Sequence, residues 1–414
     1  MHADLGPVLK SAYPKVVATL TRLLGDMDLA MDAAQDALVK ALQTWPKTGL
    51  PDSPSAWLVT VGRNRAIDQM RRAKRVVGLD NVVAFPGDAP VDAVEPPADD
   101  ISLTELDDDM LRLMFTCCHP VLNPTMQITL VMKVVLGFSV DEIARSLLSS
   151  RASVEKRITR AKTALAQAEV EYEVPRGEEI PPRLQSVLQA IYLMFNEGYT
   201  RVQDGQLSRS PLIDEAIRLA RMTCRLLRRN PEPRALLALM LLTAARMPAR
   251  FNEQGWLIPL TEQDRGLWDR AMTREGVALV DAIYVARHPP SAYQIQAAIS
   301  ALHNQSDSAK NTDWQQISGL YAKLREYDPS PVIPVNEAVA VCMTGDSDSA
   351  QQILDQCADD AALKSYQPYY AALAFVAEAR QDLVAARRHY QQAIEQSDSP
   401  AQQAYLEHKL VQLG

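Results

Sequence analysis

Apolar residues recur every three to four positions along most of this chain, the spacing of one buried face of an α-helix, and strict two-residue alternation is scarce. Between Pro54 and Arg72, Val59, Gly62, Ala66 and Met70 make such a stripe. Asn64, Asp68, Arg71 and Arg75 fall at i, i+4, i+7 and i+11 and share a second, polar face of the same helix. Between Asp26 and Thr44, Ala33, Ala37 and Ala41 point inward, while Asp32, Gln35, Asp36 and Lys40 point outward. That outer surface is too acidic for phosphate and suits a protein partner better.

Phe138-Ser139-Val140-Asp141-Glu142-Ile143 predicts a helix start. Ser139 and Glu142 make a capping box, and Phe138 with Ile143 a hydrophobic staple. The helix carries Ile143, Ala144 and Leu147 inward, and Leu148-Ser149-Ser150 reads as a tight turn. A second helix follows, with Val154, Ile158, Ala161 and Leu165 on one face and Lys156, Thr159, Arg160 and Thr163 on the other. The pair has helix–turn–helix spacing, and its second helix could enter a major groove. A plain helical hairpin with a charged face would show the same pattern, just as a solvated basic helix would account for Asn64 to Arg75.

Near the C-terminus a repeat emerges. Ala338, Ala350 and Cys357 recur 36 residues later as Ala374, Ala386 and Ala393, with Leu354 and Tyr390 four residues after each middle alanine. Small residues at these offsets let antiparallel helices approach closely, as in tetratricopeptide-type hairpins, although the consensus Trp, Leu and Gly are missing.

Composition sharpens this all-α reading. The chain has 414 residues, too many for one core, and only 16 glycines, which disfavours a turn-dense β architecture. With 43 basic and 51 acidic residues its net charge is −8, which argues against a generally basic nucleic-acid coat. The charge is unevenly spread: Arg71, Arg72, Lys74 and Arg75 close one helix, and Val76 to Asp109 then holds ten acidic residues, no Lys or Arg, and Pro86, Pro90, Pro96 and Pro97. Such a stretch reads as a linker. The longest apolar run, Ala235 to Leu242, is far short of a bilayer span, and the N-terminus lacks the apolar core of a signal peptide, so a cytoplasmic protein without membrane contact is expected.

The sequence offers little catalytic chemistry. Five cysteines include no CxxC pair, and adjacent Cys117 and Cys118, followed by His119, rarely serve one metal from a helix. His288 and His303 have no carboxylate or nucleophile at a telling spacing, and no Gly-rich phosphate loop is present. Asn196-Glu197-Gly198-Tyr199 and Asp264-Arg265-Gly266-Leu267-Trp268 are polar–aromatic patches that suit a ligand surface or a capped helix end equally well. No enzyme, metal or cofactor is expected.

These segments, taken in order, resemble bacterial extracytoplasmic-function (ECF) sigma factors of RNA polymerase. "DAAQDALVKALQTWP" is similar to their core-polymerase-binding helix, "PSAWLVTVGRNRAIDQMRR" to the segment reading the −10 element, and "GFSVDEIARSLLSSRASVEKRITRAKTAL" to the module reading the −35 element. "LRLMFTCCHPVLNP", "IYLMFNEGYT", "LALMLLTAARMPARF", "LTEQDRGLWDRAM", "YQIQAAISALH" and "TDWQQISGLY" resemble the subgroup with a fused tetratricopeptide-like C-terminal domain.

The resemblance implies a region-two domain over 1–76, an acidic linker over 77–108, a helix–turn–helix region-four domain over 109–173, and a helical C-terminal domain over 174–414 with hairpins near 332–396. It also implies that Asp32, Gln35, Asp36 and Val39 contact core RNA polymerase. Asn64 would read a flipped −10 base, flanked by Asp68, Arg71 and Arg72. Lys156, Arg157, Thr159 and Arg160 would meet the −35 element. Glu155 stands where many relatives carry a basic residue, so either a cytosine contact or a solvent-facing role is open. The implied linker threads the polymerase channels, and the C-terminal domain, regulatory in cis, could take a peptide or protein partner. The competing reading is a one-component helix–turn–helix regulator with a repeat-domain sensor, which would bind duplex DNA without polymerase.

Overall fold

The computed structural model describes residues 5–77, 103–135, 137–147, 149–168, 170, 172–173, 180–200 and 211–413. Among them the protein is all-α, its only β pairing being an isolated bridge between Phe251 and Leu257. It divides into two compact units, residues 1–197 and 198–414.

The first unit opens with three mutually packed helices, α1 (Gly6–Leu24), α2 (Met27–Thr48) and α3 (Pro54–Val77). Asp26 starts α2 by accepting hydrogen bonds from the backbone N–H groups of Asp28 and Leu29 at 2.8 and 3.0 Å. Val16, Val17 and Leu20 of α1 are buried, as are Ala33, Ala37 and Ala41 of α2 and Leu58, Val59 and Ala66 of α3. At Gly62 there is no room for a side chain: a Cβ there would lie 2.8 Å from Leu20 Cδ1 and 3.1 Å from the Ala33 carbonyl oxygen.

Helix α4 (Leu103–Cys117) packs on α1. It begins inside the stretch read as a linker over 77–108, of which 78–102 lie outside the described residues. Asp109 is buried and joins the two helices, receiving Arg22 Nε at 2.7 Å and Arg112 Nη1 at 2.9 Å. The Tyr172 hydroxyl lies 2.8 Å from the Asp109 carbonyl and 2.9 Å from that of Ala18.

Helix α5 (Pro124–Leu130) runs into a π-helical turn, Val131–Val135, and is followed by α6 (Val140–Ser146), α7 (Arg151–Gln167) and α8 (Ile180–Thr200). The first compact unit runs past residue 173, through most of α8. Ser186 of α8 donates to Gln127 Oε1 of α5 at 2.5 Å, and Gln127 Nε2 donates to the carbonyls of Cys118 and His119. An apolar helix after a proline-rich break looks like the start of a new domain, and this tertiary hydrogen bond has no sequence signature.

The second unit comprises α9 (Pro211–Leu226), α10 (Glu232–Ala244), α11 (Arg270–Val285), α12 (Ala292–Gln305), α13 (Trp314–Leu324), α14 (Val332–Met343), α15 (Ser347–Gln356), α16 (Gln367–Ala379), α17 (Leu383–Glu395) and α18 (Pro400–Gln412). From α9 on, each helix packs on its neighbour in sequence, and α10 also meets α12. The 36-residue repeat is two helical hairpins, α14–α15 and α16–α17. Ala338, Ala350, Ala374, Ala386 and Ala393 are buried, with Leu354 and Tyr390; Cys357 is half-buried. The repeat extends to the caps: Asp346 and Asp382, also 36 apart, each accept an N–H at 3.0 Å at the start of α15 and α17. The loop after α10 is tied to α18 through Leu257 N–H to the Ala401 carbonyl, and through Glu262 to the Tyr405 hydroxyl at 2.7 Å and Lys409 Nζ at 2.9 Å.

Candidate nucleic-acid interface

The helix–turn–helix is built as its sequence dictates. The Ser139 N–H donates to Glu142 Oε2 at 2.8 Å and the Glu142 N–H to Ser139 Oγ at 3.2 Å, a complete capping box that starts α6. Phe138 and Ile143, the staple, are both buried. Ser150 caps α7 by accepting from the Ser153 N–H. Val154, Ile158, Ala161 and Leu165 are the buried positions of α7, and α7 packs on α5 and α6.

Lys156, Thr159 and Arg160 are exposed and Arg157 is half-exposed, so the four residues expected at the −35 element share the outward side of α7. Lys156, Arg157 and Arg160 make no ion pair among the described residues. Thr159 donates its hydroxyl to the Glu155 carbonyl of its own helix at 3.1 Å, so in this rotamer the hydroxyl keeps only its acceptor capacity.

Glu155 has a partner the sequence reading missed. Arg151 Nε lies 3.0 Å from Glu155 Oε1 while Arg151 Nη1 lies 2.7 Å from Asp141 Oδ2, so one guanidinium bridges α7 to α6. Both carboxylates keep the Arg151 guanidinium charged, its pKa raised. The i,i+4 spacing of Arg151 and Glu155 was a legible signal; Asp141, ten residues back, was not. A second unforeseen ion pair joins Lys162 of α7 to Asp28 of α2.

On α3, Asn64 and Asp68 are half-buried and Arg71 is exposed. From Asn64 to Arg71 the polar face runs about 10 Å along the helix at 1.5 Å per residue. The side chains of Arg72, Lys74 and Arg75 lie outside the described residues. Trp57 packs edge-on against buried Trp45 of α2, ring centroids 5.4 Å apart.

On α2, Asp32, Gln35 and Val39 are exposed, Val39 by 54%, and Leu42 beside it by 53%. Two neighbouring apolar side chains in water, on an otherwise acidic face, fit a protein partner. Asp36 is half-buried and accepts a long hydrogen bond, 3.4 Å, from Gln69 of α3, so the two faces are coupled. Burial raises the Tyr13 phenol pKa, countered by a hydrogen bond with Gln35 and reinforced by the Asp32 carboxylate.

Cys117 and Cys118 are buried where α4 ends, and burial raises both thiols, which makes them poor nucleophiles. Among the described residues no three His, Cys, Asp or Glu side chains are grouped to hold a metal ion, and no helix is long and apolar enough to cross a membrane.

Comparison with known proteins agrees with this layout. Residues 8–76 match the model of sigma-70 region 2, residues 112–165 that of sigma-70 region 4, and residues 183–283 a family of unknown function, DUF6596. Uncharacterized protein R00370 of Rhizobium meliloti is 42% identical over 335 residues, covering 80% of this chain and 78% of that protein. The probable ECF RNA polymerase sigma factor SigI of Mycobacterium tuberculosis is 26% identical over 171 residues, which cover 41% of this chain and 57% of SigI. No solved structure matches. The two basic faces fall one in each sigma-70 region, in the order the matches require. The chain belongs to one family with the Rhizobium meliloti protein, and its first unit carries the DNA-binding, helix–turn–helix regions of a transcription-initiating sigma factor.

Proposed function

We propose that the protein binds core RNA polymerase through α2, with Asp32, Gln35, Asp36 and Val39 at the contact, and directs it to promoters with separate −10 and −35 elements. Asn64, Asp68, Arg71 and Arg72 read the −10 element, with Asn64 holding an extruded base. Lys156, Arg157, Thr159 and Arg160 meet the −35 element. The observation that carries this reading is the outward face of α7, where cations with no carboxylate partner among the described residues stand on the second helix of a capped helix–turn–helix.

The runner-up, an operator-binding regulator, leaves the exposed Val39 and Leu42 of α2 without a purpose. The C-terminal unit acts in this proposal as a regulatory domain in cis, with a peptide or protein partner. Its size, its covalent linkage and its paired helical hairpins support that role.

The test is co-elution of the purified chain with core polymerase. Wild type should co-elute. Asp36→Lys and Val39→Asp, on exposed or half-exposed positions, should dissociate the complex without unfolding the chain. Co-elution unaffected by either variant would refute the α2 assignment. For the regulatory role, a chain ending at residue 200 should differ from full length in transcript yield, and equal yields would refute it.

A further inference from the structure

The Asp264–Trp268 stretch, which promoter reading does not use, lies against the C-terminal end of α12 within the second unit. Two arginines meet there. Arg246 and Arg265 are only 9% and 6% exposed, and their guanidinium carbons lie 5.6 and 5.0 Å from the Trp268 ring centroid. Their acceptors are all neutral: Arg246 donates to Asn304 Oδ1 at 2.8 Å and the Ser300 carbonyl at 3.0 Å, and Arg265 to the carbonyls of His303 at 2.7 Å and Ser306 at 3.2 Å.

Capping the C-terminus of α12 explains part of this arrangement. A helix C-terminus carries roughly half a negative charge, however, and two guanidinium groups bring two positive ones, so more than one positive charge is left over. The carboxylate felt by Arg265 is Asp307, which is in solvent, and the groups favouring the charged form of Arg246 are the phenols of Tyr199 and Tyr321. Burial accordingly lowers the Arg246 pKa to about 10.

Three polar atoms of this cluster are buried and lack a hydrogen-bond partner among the described residues: Arg265 Nη2, Trp268 Nε1 and His303 Nδ1. Two are N–H donors, and buried donors left unmatched are rare. The His303 ring, packed at 5.1 Å on Trp314, is pushed down to about 3 by burial and by the two guanidinium groups, so it is neutral near pH 7.

We infer that Arg246, Arg265, Trp268 and His303 form a binding site for a small oxyanion, a carboxylate or phosphate group, in the C-terminal unit. Arg265 Nη1 is held by the His303 and Ser306 carbonyls, so Nη2, which has no partner among the described residues, is the nitrogen that would donate to one oxygen of either group. The indole N–H supplies a further donor, and Arg246, whose guanidinium also lies near the Trp268 ring, contributes the second charge. This site stands independently of promoter reading and would remain if that reading failed.

The experiment uses the full chain, with sodium phosphate, acetate and benzoate as probes at constant ionic strength, followed by thermal unfolding, tryptophan emission and calorimetric titration. A saturable rise in Tm with a change in emission is expected, and whether phosphate or the carboxylates produce it identifies the ligand class. Arg265→Gln should weaken binding by about tenfold or more. Trp268→Phe, which keeps the ring and removes the N–H, should weaken it by a smaller factor; it decides the question if Arg265→Gln does not fold. No saturable response to any probe, or binding unchanged in the folded variants, overturns the inference.

Discussion

Three helical glycines make opposite predictions for the same substitution. Alanine is favoured over glycine inside a helix by about 1 kcal/mol, so Gly→Ala stabilises wherever the added methyl finds space. Gly319 in α13 has nothing within 4 Å of the Cβ position, and there the full gain is expected. At Gly276 in α11 the methyl would sit 2.6 Å from Leu242 Cγ and 2.9 Å from its Cδ2, inside the 3.5–4.0 Å that carbon pairs prefer. The obstacle is the branch point of a buried leucine, so α10 and α11 must part, at a cost of about 1–3 kcal/mol that outweighs the helical gain. For a unit of this size 1 kcal/mol moves Tm by about 2–4 °C. Gly319→Ala should therefore raise the melting transition of the C-terminal unit by a few degrees and Gly276→Ala lower it. Gly62→Ala, blocked by Leu20 and the Ala33 carbonyl, should lower that of the first unit. Differential scanning calorimetry separates the two transitions. If Gly276→Ala stabilised as much as Gly319→Ala, helix propensity alone would govern and the close α10–α11 packing would be refuted.

Other consequences follow from the same structure. His303 binds a proton near pH 6.5 when unfolded and only near pH 3 when folded, so stability of the C-terminal unit should fall as pH drops from about 7 to 5. The slope should approach about 1.4 kcal/mol per pH unit, and His303→Gln should flatten it; an identical slope in the variant would contradict the cause assigned here. A chain ending at residue 173 loses the Ser186 hydroxyl from buried Gln127, so its sigma unit should melt below that of a chain ending at 200, and equal transitions would place α8 outside that unit. With polymerase bound, Arg160→Ala should make the dependence of log affinity on log salt shallower by about 0.9 if it meets one phosphate, a slope read by fluorescence anisotropy and unchanged if Arg160 faces only solvent.

Much of this architecture was legible because local rules agreed with the fold. The Ser139–Glu142 box, the Phe138–Ile143 staple and the buried row Val154, Ile158, Ala161 and Leu165 are all short-range patterns, and each is found as its spacing requires. Ala33, Ala37 and Ala41 were equally plain on α2. The misses are long-range. Nothing near Asp109 announces Arg22, 87 residues earlier, and nothing near Ser186 announces Gln127. Burial of two arginines beside Trp268 was hidden for a related reason: "DRGLW" reads as a capped turn, and it does hold one, with Asp264 accepting from the Gly266 N–H at 2.8 Å. Only the return of α12 against that turn makes the charge there unusual.

We propose that this chain gives core RNA polymerase promoter specificity through α3 and α7. Run-off transcription on a library of genomic fragments, with core polymerase and with or without the protein, tests it most directly. New defined 5′ ends sharing two upstream sequence blocks are expected, lost with Asn64→Ala and with Arg160→Ala. No new 5′ ends, with duplex binding by the protein alone, would contradict it and favour an operator-binding regulator.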